Sequence, residues 1–222
     1  MIAIKRSRLA VVTVSLSATL ALSACGPAND DIAHSESSTA MYQAYNDSMT
    51  KMHSEMMLGM GYNDPDSAFT QGMLGHHLGT VDMAKTQLKY GKDPEMLQLA
   101  QKIIDAQEVE IEQMQKWLNS HPDVAAPMAD TGAMQQAYAT GMNDMHGEMT
   151  LGITDPNPDM AFARGMLPHH RGAVDMAEVQ LEYGKDPEML QLAQEIIAAQ
   201  QSEIEQMQNW IKANGGVESN AQ

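Results

Sequence analysis

Cysteine, aromatic residues and basic charge are all scarce in this chain of 222 residues. It holds one cysteine, two tryptophans and two phenylalanines, and 13 Lys+Arg against 29 Asp+Glu. A single thiol, Cys25, excludes an intrachain disulfide and a thiolate metal cluster. The shortage of Lys and Arg excludes nucleic acid as a partner, because phosphate binding relies on those side chains to release counterions. An acidic surface attracts cations weakly and serves mainly as a solubility device.

Catalytic motifs are missing as well. No Gly-rich phosphate loop, Gly-x-Ser-x-Gly elbow or His-Glu-x-x-His pattern occurs, which removes P-loop, serine-hydrolase and zinc-hydrolase chemistry. A di-iron carboxylate centre in a helical bundle needs Glu-x-x-His on two helices. The residue three places before each histidine is Asp31, Thr50, Met73, Leu74, Leu118, Asn143, Met166 or Leu167, never glutamate. Asp93-Pro94-Glu95 reads as a helix start and not as an acid/base pair. The chain is therefore expected not to be an enzyme.

At the N-terminus, Lys5, Arg6 and Arg8 precede an uncharged run over residues 9–22 and then Leu22-Ser23-Ala24-Cys25. This is a signal-peptide pattern over residues 1–24, too short and wrongly flanked for a spanning helix. Its ending resembles the lipobox of bacterial lipoproteins, which implies lipidation of Cys25, attachment to a membrane through lipid alone, and a periplasm-facing place in the cell envelope. An ordinary secretory signal is the other reading. Without the three basic residues of the leader, 10 basic residues face 29 acidic ones, a net charge of −19. Residues 25–38 are small and polar and read as a flexible tether.

What the chain has in excess is methionine, 21 residues, in the role leucine usually plays. It also repeats itself at a constant register of 93: Tyr45 matches Tyr138, Met52-His53 matches Met145-His146, and Trp117 matches Trp210. The first repeat covers residues 39–119 and the second 132–213, with a Pro-containing linker at 120–131 and a frayed tail at 214–222. Each repeat reads as three helices. Met41, Tyr45, Met49, Met52 and Met56 recur at helical spacing on the first. The second runs from Ser67 to Tyr90 and stops at Gly91, a residue that tolerates a left-handed cap. The third starts at Asp93 and carries a bundle seam at Leu97, Ala100, Ile104, Ile111, Met114 and Leu118. Gln107 and its copy Gln200 interrupt that seam and are expected to bond to a neighbouring helix. The fold class is all-α, a bundle whose core is the two helical hairpins.

The stretch MLGHHLGTVDMAK (residues 73–85) returns as MLPHHRGAVDMAE (residues 166–178). On a helical wheel Met73, His76, His77, Thr80 and Met83 share an arc of about 120°, as do Met166, His169, His170 and Met176 in the copy. A second cluster lies on the first helix: Met49, Met52, His53 and Met56, with Met142, Met145, His146 and Met149 as counterparts. Met57 and Met60 have Thr150 and Ile153 in the copy, so the first repeat is expected to hold the richer site. A methionine stripe at this spacing is first of all core. Leucine would serve packing alone and resists oxidation better in an exported chain. Thioether sulfur suits Cu(I), imidazole suits copper in either state, and Ag(I) fits the same donors.

The segment GMLPHHRGAVDMAEVQLEYGKDPEMLQLAQEIIAAQQSEIEQMQNWI (residues 165–211) resembles the bacterial domain-of-unknown-function family 305, which includes CopM-like copper-binding envelope proteins. The Pro-His-His-x-x-Ala-x-x-Met-Ala pattern and the later Ile-x-x-x-Gln-x-x-Glu-Ile-x-x-Met stretch carry the resemblance, in two tandem copies. It implies a ferritin-like bundle in the envelope and copper or silver handling through His169, His170 and Met176, and through His76, His77 and Met83. The first copy departs at Gly75, where the family usually has proline. Pro168 is expected to bend its helix and Gly75 to loosen the same point, giving the two histidine pairs different geometry. The function expected is Cu(I) binding, with Cu(II) or Ag(I) possible, for buffering or for transfer to a copper exporter or metallochaperone. The alternative is a Met-rich, chaperone-like module for apolar or protein ligands.

Overall fold

The computed structural model describes residues 28–122 and 126–219. Six helices follow one another: α1 Ala28–Met60, α2 Pro65–Tyr90, α3 Pro94–Ser120, α4 Thr131–Gly152, α5 Pro158–Tyr183 and α6 Pro187–Ala213. Among the described residues there is no strand. The leader and Cys25 lie outside them.

Four helix starts share one chemistry. Asp64, Asp93, Asn157 and Asp186 sit at the N-caps of α2, α3, α5 and α6, each accepting backbone N–H bonds, and proline follows each cap. Such caps stabilise a helix by about 1 kcal/mol each. Gly91 and Gly184 end α2 and α5 in extended backbone, φ −66° and −69°, not in the left-handed cap expected. Glycine is needed there for space: a Cβ on Gly91 would collide with the Gln87 side chain, and one on Gly184 with Gln180.

Those two glutamines explain how the repeats interlock. Gln87 Nε2 donates to Asp159 Oδ1 at 2.6 Å, and Gln180 Nε2 donates to Asp66 Oδ1 at 2.6 Å. Asp159 also accepts from the Lys92 backbone N–H, and Asp66 from those of Lys185 and Asp186. Each repeat thus uses an aspartate at the start of one helix to hold the hairpin turn of the other repeat. Both aspartates and both glutamines are buried. The result is a pseudo-two-fold, ferritin-like bundle. Helices α2 and α5 pack against each other at its centre, α3 and α6 complete the hairpins, and α1 and α4 pack on α2 and α5.

Methionine supplies much of the interior. Met41, Tyr45, Met49, Met52 and Met56 are all buried, as are Met134, Tyr138, Met142, Met145 and Met149 on α4. Each such side chain contributes on the order of 2 kcal/mol of apolar burial.

Three expectations are corrected. The stretch read as a tether is helical from Ala28 onward. The tail is tied down over its described residues, 214–219: Gly216 N–H donates to Ile211 O, Arg171 Nη2 to Glu218 Oε2 at 2.6 Å, and Arg164 Nε to the buried Ser219 hydroxyl. Gln107 and Gln200 are buried as expected, but the Oε1 of each has no partner among the described residues.

Candidate metal centre

Helices α2 and α5 bring the two histidine pairs together at the centre of the bundle. His76, His77, His169 and His170 are all wholly buried. Successive ring centroids along the series His77, His76, His169, His170 are 6.0, 3.7 and 6.2 Å apart. The sequence placed each pair on a helix face; the fold sets the two faces against each other.

Hydrogen bonds decide which nitrogens are available. His76 Nε2 lies 3.0 Å from the His169 carbonyl, an acceptor, so Nε2 carries the proton. His76 Nδ1 then holds a lone pair and has no partner among the described residues. His77 Nε2 donates to Glu110 Oε2 at 2.6 Å and His170 Nε2 to Glu203 Oε2 at 2.8 Å, and the Nδ1 of each is again unpartnered. A carboxylate behind an imidazole fixes the tautomer and raises the basicity of the other nitrogen, as it does behind metal-ligating histidines. His169 Nε2 approaches the thioether sulfur of Met52 to 3.0 Å. A soft cation lying between them would use that nitrogen and that sulfur as donors. The Thr80 hydroxyl donates to the His76 carbonyl and lies 3.4 Å from His169 Nε2.

Burial, followed by the neighbouring imidazoles, holds His76 and His169 well below the ordinary histidine range. Both are therefore neutral near pH 7, the form that ligates a metal. Glu203 behaves differently. Burial pushes its carboxyl up, but the His170 bond and the Lys102 ammonium at 3.1 Å outweigh this and hold it below the usual range. The counterpart of Lys102 in the second repeat is Glu195, so Glu110 lacks that cation.

The methionines divide. Met52 seats against Gly79, where a Cβ would stand 2.9 Å from its sulfur; Met145 seats against Gly172 in the same way. Met73 and Met166 are enclosed in the apolar core, as are Met49 and Met149. Met83 and Met176 reach across to Gly165 and Gly72 of the opposite repeat. Met56, Met142 and Met176 line a separate small cavity. His53 and His146 face each other at 5.5 Å between centroids, with His53 half-buried and His146 exposed. Among the described residues no three His, Cys, Asp or Glu side chains converge on one point, so a site here draws on sulfur.

Gly75 has a different role from the one expected. A Cβ there would lie 2.7 Å from Glu55 Cβ and 2.9 Å from the Met56 backbone nitrogen. The glycine lets α1 approach α2 closely enough for Met52 to reach across the bundle. Helix α5 continues through Pro168. Sequence reasoning missed Glu110 and Glu203. Their signal was an acid placed directly before an apolar seam residue, Glu110-Ile111 and Glu203-Ile204, on the face that turns inward.

A duplicated helical bundle with paired imidazoles and thioethers buried between its halves defines the class of protein. The chain belongs to the DUF305 family, a domain of unknown function, which matches residues 26–118 and 66–211. It is similar to CopM in the Cu(I)-bound form, at 33% identity over 68% of this chain and 98% of that one, TM-score 0.52. The Ag-bound form of CopM matches at 32% identity over 67% and 95%, TM-score 0.51. CopM has also been solved in a Cu(II)-bound form. Uncharacterized protein L153 of Acanthamoeba polyphaga mimivirus is 43% identical over 49 residues, 22% of this chain and 32% of the viral protein. The chain thus spans about a third of that relative's length.

Proposed function

We propose that this is a non-catalytic, lipid-anchored envelope protein that binds Cu(I), and also Cu(II) or Ag(I), to buffer the metal or pass it to an exporter or metallochaperone. The observation that carries the reading is the 3.0 Å approach of the Met52 sulfur to His169 Nε2, beside the His76 ring, in a wholly buried site. Neutral imidazole and thioether in a dry interior suit a soft monovalent ion, which needs no carboxylate to neutralise a second charge. His77 and His170, backed by Glu110 and Glu203, present further nitrogen donors for Cu(II). The His53–His146 pair, half-buried and exposed respectively, supplies an outer point of capture. The signal-peptide and lipobox patterns support export and anchoring through Cys25. Relatives solved with copper and silver support the choice of ion.

A chaperone-like groove fits less well, because the methionine stripes of α1 and α4 face inward and leave Met57 as an exposed exception at 46%. The test is metal analysis of protein purified from copper-fed cells, native against His76→Gln/His169→Gln. Copper in the native protein and a deficit in the variant are expected. Equal copper content in the two, or none in either, overturns the reading.

A further inference from the structure

One helical turn beyond Met52 on α1, four methionines line a second space. Met56 and Met60 come from α1, Gly72 from α2, Tyr138 and Met142 from α4, and Met176 from α5. The cavity measures about 10 Å³, room for one water-sized sphere and for no organic ligand. A buried water makes two to four hydrogen bonds, whereas the lining side chains offer one hydroxyl, that of Tyr138. Neutral sulfur is a poor partner for hard cations and a good one for d¹⁰ monovalent ions.

The second repeat provides an internal control. The positions equivalent to Met56, Met60, Met142 and Met176 are Met149, Ile153, Met49 and Met83. Ile153 is buried against Gly165, where a Cβ would lie 2.8 Å from its Cγ2. On the first side the equivalent Gly72 meets only the Met176 methyl, at 3.1 Å. A branched hydrocarbon thus fills on one side the position that Met60 holds on the other. Packing alone does not require a thioether here, since a branched hydrocarbon serves the equivalent position. The side with space is the side with the additional sulfur.

We infer that Met56, Met60, Met142 and Met176 form a thioether-only site for one soft monovalent cation, separate from the imidazole centre and present on one side of the pseudo-two-fold. Charge favours it. The buried Asp66 carboxylate acts on the Tyr138 ring at the cavity wall, and after burial it is what raises that phenol above its usual range. A monovalent cation here lies in the field of that carboxylate, and it gains no partner for a second positive charge.

Native mass spectrometry of the full chain titrated with Ag(I) counts the ions held. Met60→Ile copies the second repeat and fills the cavity; Met60→Leu nearly conserves volume. Both variants are expected to keep the helical circular-dichroism spectrum and to hold one Ag(I) fewer than the native chain. The same deficit of one is expected when either is placed in the His76→Gln/His169→Gln background, so this site and the imidazole centre fail separately. An unchanged Ag(I) count in both Met60 variants overturns the inference, whatever the imidazoles do. Silver X-ray absorption of the His76→Gln/His169→Gln chain at one equivalent is expected to show a sulfur shell. A nitrogen or oxygen shell there overturns the inference without recourse to any Met60 variant.

Discussion

Asp159, at the start of α5, accepts the Gln87 side-chain amide at 2.6 Å and the Lys92 backbone N–H at 2.9 Å, closing the α2–α3 turn of the other repeat. Asp66 does the same for Gln180 and Lys185. These bonds join the two halves, alongside the packing of α2 on α5. Removing one acceptor leaves a buried amide and a backbone N–H unpaired. Asp159→Ala is expected to lower stability by about 2–4 kcal/mol, read from urea unfolding. A change below about 0.5 kcal/mol would show that the interlock is incidental.

The helices were largely legible in advance. Asp-Pro-Glu marked two helix starts and Gly-Lys-Asp two turns, and the spacing from Met41 to Met56 gave the buried face of α1. The juxtaposition of helices was not legible. A helical wheel puts His76 and Met73 on one arc, yet the partner of the imidazoles is Met52, from another helix, and Met73 belongs to the core. Side chains on one arc of a helix diverge outward, so convergence on a point requires a second element whose placement no local pattern encodes. The repeat made equivalence legible and left the pairing between repeats hidden: no local pattern showed that Gln87 would meet Asp159 of the other repeat, and Gln180 meet Asp66.

That distinction is testable at two methionines. Met52→Leu and Met73→Leu are both nearly volume-conserving and each is expected to cost under about 1.5 kcal/mol. Met52→Leu removes the sulfur beside His169 and should weaken Cu(I) binding by about tenfold or more, roughly 1.4 kcal/mol. Met73→Leu should leave affinity unchanged. Competition titrations against a Cu(I) chelator make the comparison, and equal losses at the two positions would return both methionines to the core.

Acid should destabilise the metal-free protein through His76 and His169. Burial holds both below their ordinary value of 6.5 in the folded chain. The unfolded chain therefore takes up protons first, and stability falls as pH drops below 6.5, by up to about 1.4 kcal/mol per pH unit for each histidine. Above that value these two groups contribute no slope. Glu203, held below 4.5, adds a loss of the same sign only at lower pH. Urea midpoints between pH 8 and pH 5 should show the slope in the native chain and its absence in His76→Gln/His169→Gln. A native profile flat across pH 6.5 to 5 contradicts the burial of neutral rings.

Glycine-to-alanine substitutions should change sign with position. Replacing a helical glycine normally gains about 1 kcal/mol in propensity. At Gly132 nothing lies within 4 Å of the new Cβ, so Gly132→Ala should be neutral or stabilising. At Gly79 the Cβ would stand 2.6 Å from Met52 Cβ and 2.9 Å from its sulfur. The methionine must shift, and overpacking of this kind costs about 1–3 kcal/mol. Gly79→Ala should therefore lower the melting temperature and, by moving the thioether off His169, weaken Cu(I) binding as well. If the two variants melt alike and bind alike, the close seat of Met52 on Gly79 does not govern where the sulfur sits.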